Sequence, residues 1–108
     1  MSDFTIEDLE GVVRARLANG DETSYTKTLA DKGLDKVAEK FGEEAIETII
    51  AAVRRASDEL ISETADVIFH LTVLLSLQGV AWADVMAELE RRTSQSGLEE
   101  KASRKAPQ

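Results

Sequence analysis

Four acidic residues stand at a spacing that suits the binding of a metal ion. Glu44 and Glu47 are three positions apart, and the pair Glu63 and Asp66 repeats this spacing further along the chain. In a helix, residues three apart lie on one face about one turn from each other, where like charges repel. Two such pairs cost stability unless a cation lies between them. Carboxylate oxygens suit a hard divalent ion, so the pattern predicts a Mg²⁺ site that Mn²⁺ could also occupy.

Two long helices are predicted to carry these acids. Apolar residues recur at helical spacing from about 34 to 55 and again from about 59 to 78, with a short polar turn at 56–58. Ser57 or Asp58 in this turn is the expected N-cap of the second of these helices. The helices are therefore expected to pack antiparallel as neighbours.

The position of the turn sets the depth of each carboxylate. With a turn near residue 56 or 57, Glu47 and Asp66 are expected at equal depth. Glu44 then lies one turn deeper on its helix, and Glu63 one turn shallower on the other. The four carboxylates are predicted to converge within about one helical turn, roughly 5 Å. The competing interpretation is that they are solvated acidic faces, since Glu is a good helix former, and the residues alone leave the two interpretations equally open.

The rest of the chain also reads as helices with short turns. Thr5 and Asp8 have capping-box spacing, Ser24 suits the start of a short helix, and Trp82 opens an apolar stripe on a last helix. The fold class is therefore all-α, a bundle of about four to five helices. We expect one domain over residues 1–95 and a polar, disordered tail over 96–108.

Composition excludes several kinds of protein. The chain has 108 residues, no cysteine and a formal net charge of −8, which argue against disulfides, thiolate metal sites and a basic nucleic-acid-binding surface. The acidic N-terminus is unlike a signal peptide. The longest apolar stretch, residues 67–82, is interrupted by polar residues and is expected not to span a membrane. A cytoplasmic protein is expected.

Several segments together resemble the phosphoribosyl-ATP pyrophosphatase family. The resemblance extends over about residues 5 to 95, and Phe41 is a small departure, where a smaller aliphatic residue is expected. The family belongs to the MazG-like all-α nucleoside triphosphate pyrophosphatases, whose shared Glu-x-x-Glu and Glu-x-x-Asp motif is matched by the four acids. The segments that carry it are Ser24-Tyr25-Thr26, Lys32-Gly33-Leu34-Asp35-Lys36-Val37, Lys40-Phe41-Gly42-Glu43-Glu44-Ala45-Ile46-Glu47, Glu63-Thr64-Ala65-Asp66-Val67-Ile68-Phe69-His70-Leu71 and Val85-Met86-Ala87-Glu88-Leu89-Glu90-Arg91-Arg92.

The resemblance implies a helical bundle completed by homodimerisation. It also implies hydrolysis of phosphoribosyl-ATP to phosphoribosyl-AMP and pyrophosphate, with Mg²⁺, in the second step of histidine biosynthesis. In that reaction Glu43 or Glu47 could accept the proton of the attacking water. Lys36 and Lys40 lie one turn apart on the way to the acids, and with the resemblance they are interpreted as contacts to substrate phosphate rather than as local ion pairs.

Other interpretations stay open. A related pyrophosphatase for dUTP or other nucleoside triphosphates would keep the same four acids. A helical dimerisation module with solvated carboxylates would have no activity. His70, the only histidine, is interpreted as a hydrogen-bonded core residue rather than a donor to a carboxylate. Tyr25 could stack on adenine or simply cover the core.

Overall fold

The structure is a bundle of α-helices around one central helix. The computed structural model describes residues 3–21, 23–94 and 97–104. Over these ranges the chain forms no strand, and the predicted all-α class is confirmed. The elements are α1 (Ile6–Asn19), α2 (Tyr25–Asp31), α3 (Leu34–Val53), α4 (Ser57–Leu77), α5 (Trp82–Thr93) and α6 (Gly97–Arg104).

Side-chain caps fix where α1 and α2 begin. The Thr5 hydroxyl accepts a hydrogen bond from the Asp8 N–H at 3.1 Å, and the Asp8 carboxylate accepts one from the Thr5 N–H at 3.0 Å. The Ser24 hydroxyl accepts from the N–H of Lys27 at 3.3 Å. Both caps satisfy backbone donors that a first helical turn leaves unpaired, and both were predicted from the sequence.

The connection between α3 and α4 differs from the prediction. The N-cap of α4 is Ala56, with no side-chain cap, so the prediction of Ser57 or Asp58 is wrong. The backbone closes α3 instead: the Ala56 N–H donates to the Ala51 carbonyl at 3.0 Å, and Arg55 adopts a left-handed φ of 58°. This is a Schellman arrangement, which satisfies the last carbonyls of a helix without any side chain.

This connection changes the register of the four acids. It is centred on Arg55, and Glu47 and Glu63 are each eight residues from it along the chain. Glu44 and Asp66 are each eleven residues from it. Glu47 is therefore level with Glu63 and Glu44 with Asp66, so the predicted pairing of Glu47 with Asp66 is wrong.

The core forms where α4 meets α1, α2 and α3. One buried apolar side chain from each helix meets the others there: Val13, Leu29, Val37 and Val73. Helix α4 is thus the central helix of the bundle. By length and composition alone α4 could cross a membrane, but these two criteria do not contradict the expectation for residues 67–82. The central helix of a soluble bundle satisfies the same two criteria.

Trp82 joins α5 to the bundle. Its backbone N–H donates to the Glu10 carboxylate at 2.7 Å, and its indole N–H donates to the Thr72 hydroxyl at 3.0 Å. The side chain of Trp82 is buried. These two bonds attach the start of α5 to α1 and α4.

The structure also differs from expectation at the C-terminal end. Where the sequence led us to expect a disordered tail over 96–108, residues 97–104 form α6. The segment is rich in residues of high helix propensity, and Lys101 and Arg104 lie in its last turn, where positive charge complements the helix dipole. The remainder of the predicted tail, residues 96 and 105–108, lies outside the described residues.

Candidate active site

Helices α3 and α4 bring three carboxylates together. One carboxylate oxygen from each of Glu44, Glu63 and Asp66 lies within 4.8 Å of the other two. Glu44 comes from the middle of α3, and the other two come from the first half of α4. Three oxygen atoms at this separation can bind a single small cation.

Two of these carboxylates have an unsatisfied buried oxygen. Oε2 of Glu44 and Oε2 of Glu63 are shielded from solvent and have no hydrogen-bond partner in the described part of the chain. An unpaired buried oxygen is costly, and more so when it carries charge. A hard divalent cation would satisfy both atoms, so the residues present fit Mg²⁺. Asp66 is exposed, which leaves the cluster open to solvent on its side.

Glu47 lies beside this group of three rather than within it. A hydrogen bond with the Glu47 carboxylate is the largest cause that raises the pKa of Glu63 to about 7, followed by burial and by interaction with Glu44. The side chain of Glu47 is itself exposed. The cluster therefore has three convergent carboxylates and a fourth next to Glu63 on the solvent side.

The predicted phosphate contacts lie on the same face of α3. Lys40 pairs loosely with Glu43 at 3.9 Å, and Lys36 pairs with Glu39 at 3.2 Å. Glu43 is half exposed and engaged with Lys40, so it lies next to the cluster without joining it. Lys40 therefore makes the local ion pair that was the alternative to a phosphate contact. The side chains of both lysines nevertheless remain partly exposed.

A groove between α2 and α3 runs along these lysines. Its volume is about 280 Å³, and its lining includes Lys36, Lys40 and Glu43 together with Tyr25 and Lys32. Sequence reasoning did not single out Lys32 as a site residue. The spacing of four between lysines 32, 36 and 40 was the available signal, but the turn at residue 33 interrupts the helix between the first two.

His70 links α4, which carries it, to Tyr25 at the start of α2. His70 is 4% exposed, and its Nδ1 lies 2.7 Å from the backbone carbonyl oxygen of Asp66. A carbonyl can only accept, so Nδ1 carries the proton and Nε2 accepts from the Tyr25 hydroxyl at 3.2 Å. His70 thus has the predicted place of a hydrogen-bonded core residue, and it donates to a backbone carbonyl rather than to a carboxylate.

Tyr25 covers the core and remains accessible. Its ring stacks on Phe69 with centroids 6.0 Å apart, and about half of the residue is exposed. The inner part of the ring therefore packs on α4, as expected if Tyr25 covers the core. The exposed part forms one wall of the lysine groove.

The fold and the site define a class before any comparison is made. An all-α bundle with carboxylates converging from two antiparallel helices, next to a groove lined by lysines, has the parts that a cation-assisted phosphoanhydride hydrolase needs. Residues 6–93 match the family model described as phosphoribosyl-ATP pyrophosphohydrolase. The chain belongs to this family, and the resemblance noted from the sequence is confirmed.

Curated relatives agree over nearly the whole chain. The chain is 59% identical over 105 residues to phosphoribosyl-ATP pyrophosphatase 1 of Rhodopseudomonas palustris, covering 97% of this chain and 98% of the relative. It is 54% identical to phosphoribosyl-ATP pyrophosphatase 1 of Bradyrhizobium diazoefficiens, covering 97% of this chain and 99% of that relative. It is 52% identical to phosphoribosyl-ATP pyrophosphatase of Methylobacterium nodulans, covering 99% and 100%. The predicted enzyme class, a hydrolase, follows from this membership.

Proposed function

We propose that this protein hydrolyses phosphoribosyl-ATP to phosphoribosyl-AMP and pyrophosphate in the cytoplasm, as a step of histidine biosynthesis. The observation that carries the proposal is the convergence of the carboxylates of Glu44, Glu63 and Asp66 in a chain that belongs to this family over residues 6–93. All three relatives described above are named phosphoribosyl-ATP pyrophosphatase.

The three convergent carboxylates would hold Mg²⁺, or Mn²⁺ in its place. When bound, such an ion supplies charge neutralisation at phosphate oxygens and lowers the pKa of a nearby water. Glu44 and Glu63 each offer a buried oxygen without a partner, and Asp66 offers an exposed one. This set leaves the solvent side of the cluster accessible to a polyphosphate.

Glu47 is the better placed general base. The reaction needs a group that takes a proton from water while the water oxygen bonds to the α-phosphorus and the bond to the leaving pyrophosphate breaks. Glu47 lies within hydrogen-bonding reach of Glu63 but outside the group of three. Its carboxylate would therefore be next to the ion without being one of its ligands. Glu43 is the alternative base, but its carboxylate is already engaged in an ion pair with Lys40.

Lys36 and Lys40 are proposed to bind phosphate oxygens of the triphosphate. Both line the groove that leads to Glu43, and the side chains of both are more than one third exposed. Their surface ion pairs are weak and exchange readily for a polyphosphate. The lysines would then offset the repulsion between an anionic substrate and a protein of net charge −8.

A second copy of the chain is the proposed partner of the apolar face of α3. On this face Ile49 is 61% exposed and Val53 is 76% exposed. Ile61, which follows soon after the connection on α4, is 70% exposed. Monomeric proteins seldom leave a contiguous patch of large apolar side chains in water. Ile46 and Ile50 flank Glu47 on α3, so the proposed interface would adjoin the site. Light scattering on the purified protein tests the homodimer, and a monomer at micromolar concentration would contradict it.

Substrate comparison tests the activity. With Mg²⁺ present, we expect pyrophosphate release from phosphoribosyl-ATP to be far faster than from dUTP or dCTP. Glu47→Gln should abolish release while helical content by circular dichroism is unchanged. Glu90→Gln, an exposed carboxylate on α5, is the matched control and should retain full activity. Faster turnover of dUTP or dCTP would favour the related pyrophosphatase, and no turnover of any of the three would favour the dimerisation module.

A further inference from the structure

Three lysines border one groove in a protein that is acidic overall. Lys32, Lys36 and Lys40 all line the space between α2 and α3, whereas the formal net charge is −8. Positive side chains gathered along one concave surface attract anions to it. The inner end of this groove adjoins Glu43, next to the carboxylate cluster. Its outer end has no role in the proposed reaction.

The outer end of the groove holds two polar groups that have no partner among the residues that the structure describes. Lys32 makes no ion pair with any residue that the structure describes, whereas Lys36 and Lys40 each have one. Thr28, one turn before Lys32, lines the same groove, and its hydroxyl makes no hydrogen bond within the described ranges. An ammonium and a hydroxyl that line the same groove are donors that suit a phosphomonoester.

The backbone fixes this pair away from the carboxylates. The Lys32 N–H donates to the Leu29 carbonyl at 3.2 Å as α2 ends, and Gly33 turns the chain with a φ of 99°. Along α3, Lys36 is already two turns from Glu44, about 12 Å at 1.5 Å per residue. Lys32 comes four residues before Lys36 in the chain, beyond both lysines assigned to the triphosphate, so it is assigned a different ligand group from the one at the carboxylates.

Phosphoribosyl-ATP has a second anionic end. Besides the triphosphate, it carries a phosphorylated ribose that ATP lacks. We propose that Thr28 and Lys32 bind this phosphomonoester and thereby select phosphoribosyl-ATP over ATP. The inference rests on the proposed function, because it takes the triphosphate to lie at the carboxylates. The half-exposed Tyr25, which lines the same groove, is then one wall of the path that the nucleoside occupies.

Binding of the two monophosphates isolates this contact. Phosphoribosyl-AMP retains the phosphorylated second ribose and AMP lacks it, and neither contains a phosphoanhydride to hydrolyse. In Mg²⁺ buffer, calorimetry on the wild-type protein should show tighter binding of phosphoribosyl-AMP. Lys32→Gln should weaken the binding of phosphoribosyl-AMP about tenfold, which is the effect of losing one charged hydrogen bond. The affinity for AMP should be unchanged. The KM for phosphoribosyl-ATP should rise about as much, with kcat retained.

Two further variants complete the test. Lys27→Gln makes the same charge change on α2 at a lysine that pairs with Asp31 at 3.2 Å and does not line this groove. It should leave both affinities unchanged. Lys32→Arg should retain most of the preference for phosphoribosyl-AMP. The proposal is overturned if Lys32→Gln weakens both ligands equally, or weakens neither.

The failure of this proposal can be told apart from failure of the function. If the wild-type protein hydrolyses phosphoribosyl-ATP and Lys32→Gln leaves KM and both affinities unchanged, only the subsite is wrong. If the wild-type protein does not hydrolyse phosphoribosyl-ATP but binds phosphoribosyl-AMP in a manner that depends on Lys32, only the function is wrong.

Discussion

The hydroxyl of Tyr25 lies 3.2 Å from Nε2 of His70, across 45 residues of sequence. The same imidazole donates from Nδ1 to the carbonyl of Asp66 at 2.7 Å. Tyr25 lines the groove and Asp66 belongs to the carboxylate cluster. One buried ring thus joins the wall of the groove to the helix that carries half of the acids.

This hydrogen bond should be measurable as a coupling between two side chains. Tyr25→Phe leaves the buried Nε2 without a donor and should lower the free energy of unfolding by about 1 kcal/mol. In a double-mutant cycle with His70→Leu, the two effects should differ from additivity by about the same amount, because the single variants remove one shared contact. Urea denaturation of the four proteins measures this. Additive effects would contradict the bond.

Magnesium should stabilise the protein through the three convergent carboxylates. At an ion concentration one hundred times the dissociation constant, the gain in the free energy of unfolding is about 2.7 kcal/mol. Thermal denaturation with and without Mg²⁺ should show this shift in the wild-type protein and in Glu90→Gln. The shift should vanish in Asp66→Asn, which should also be more stable than wild type without metal because a like charge is removed. A full Mg²⁺ shift in Asp66→Asn would exclude that residue as a ligand.

The metal-free protein should lose stability as the pH rises from 4.5 to 7. The hydrogen bond with Glu47 raises the pKa of Glu63 from 4.5 to about 7, so the folded state holds a proton that the unfolded chain releases in this interval. The folded state binds more protons there, and its contribution to stability is complete below 4.5 and lost as the pH passes 7. Saturating Mg²⁺ should remove this trend, because ligation keeps the carboxylate deprotonated.

Denaturation in EDTA across this pH interval measures the effect of Glu63. Glu63→Gln should flatten the part of the curve that this residue causes. The neighbouring guanidinium groups of Arg91 and Arg92 lower the pKa of Glu88 to about 2, so its contribution to stability is complete above pH 4.5 and constant across this interval. An identical slope in wild type and Glu63→Gln would contradict the prediction.

Because the backbone of Arg55 is left-handed, replacing this residue with glycine should stabilise the protein. Arg55 and Gly79 both follow a helix end with positive φ, 58° and 71°, but only the second is glycine. Arg55→Gly should raise the free energy of unfolding by about 1 kcal/mol, because a side chain is strained in this conformation. Gly79→Ala should lower it by about as much, although an added Cβ would meet no atom within 4 Å. Chemical denaturation compares the two, and a loss of stability in Arg55→Gly would show that its side chain makes a compensating contact.

The sequence by itself determined the features that depend on near neighbours along the chain. Helix type follows from apolar periodicity, and the starts of α1 and α2 follow from Thr5 and Ser24, whose side chains bond only three residues away. That Glu44 and Glu47 share a face is likewise a local property of a helix. The resemblance to one family, carried by short contiguous segments, was also readable at this level.

Only the tertiary structure decided the relations between distant residues. The Schellman connection at Arg55, and not a side-chain cap, sets the register of α3 against α4, so Glu63 rather than Asp66 lies level with Glu47. The partners of His70 and the membership of Lys32 in the groove depend on how α2 packs on α3 and α4. Periodicity reports which face of a helix is apolar, but the depth and rotation at which two faces meet depend on connection geometry and packing, which no local pattern encodes.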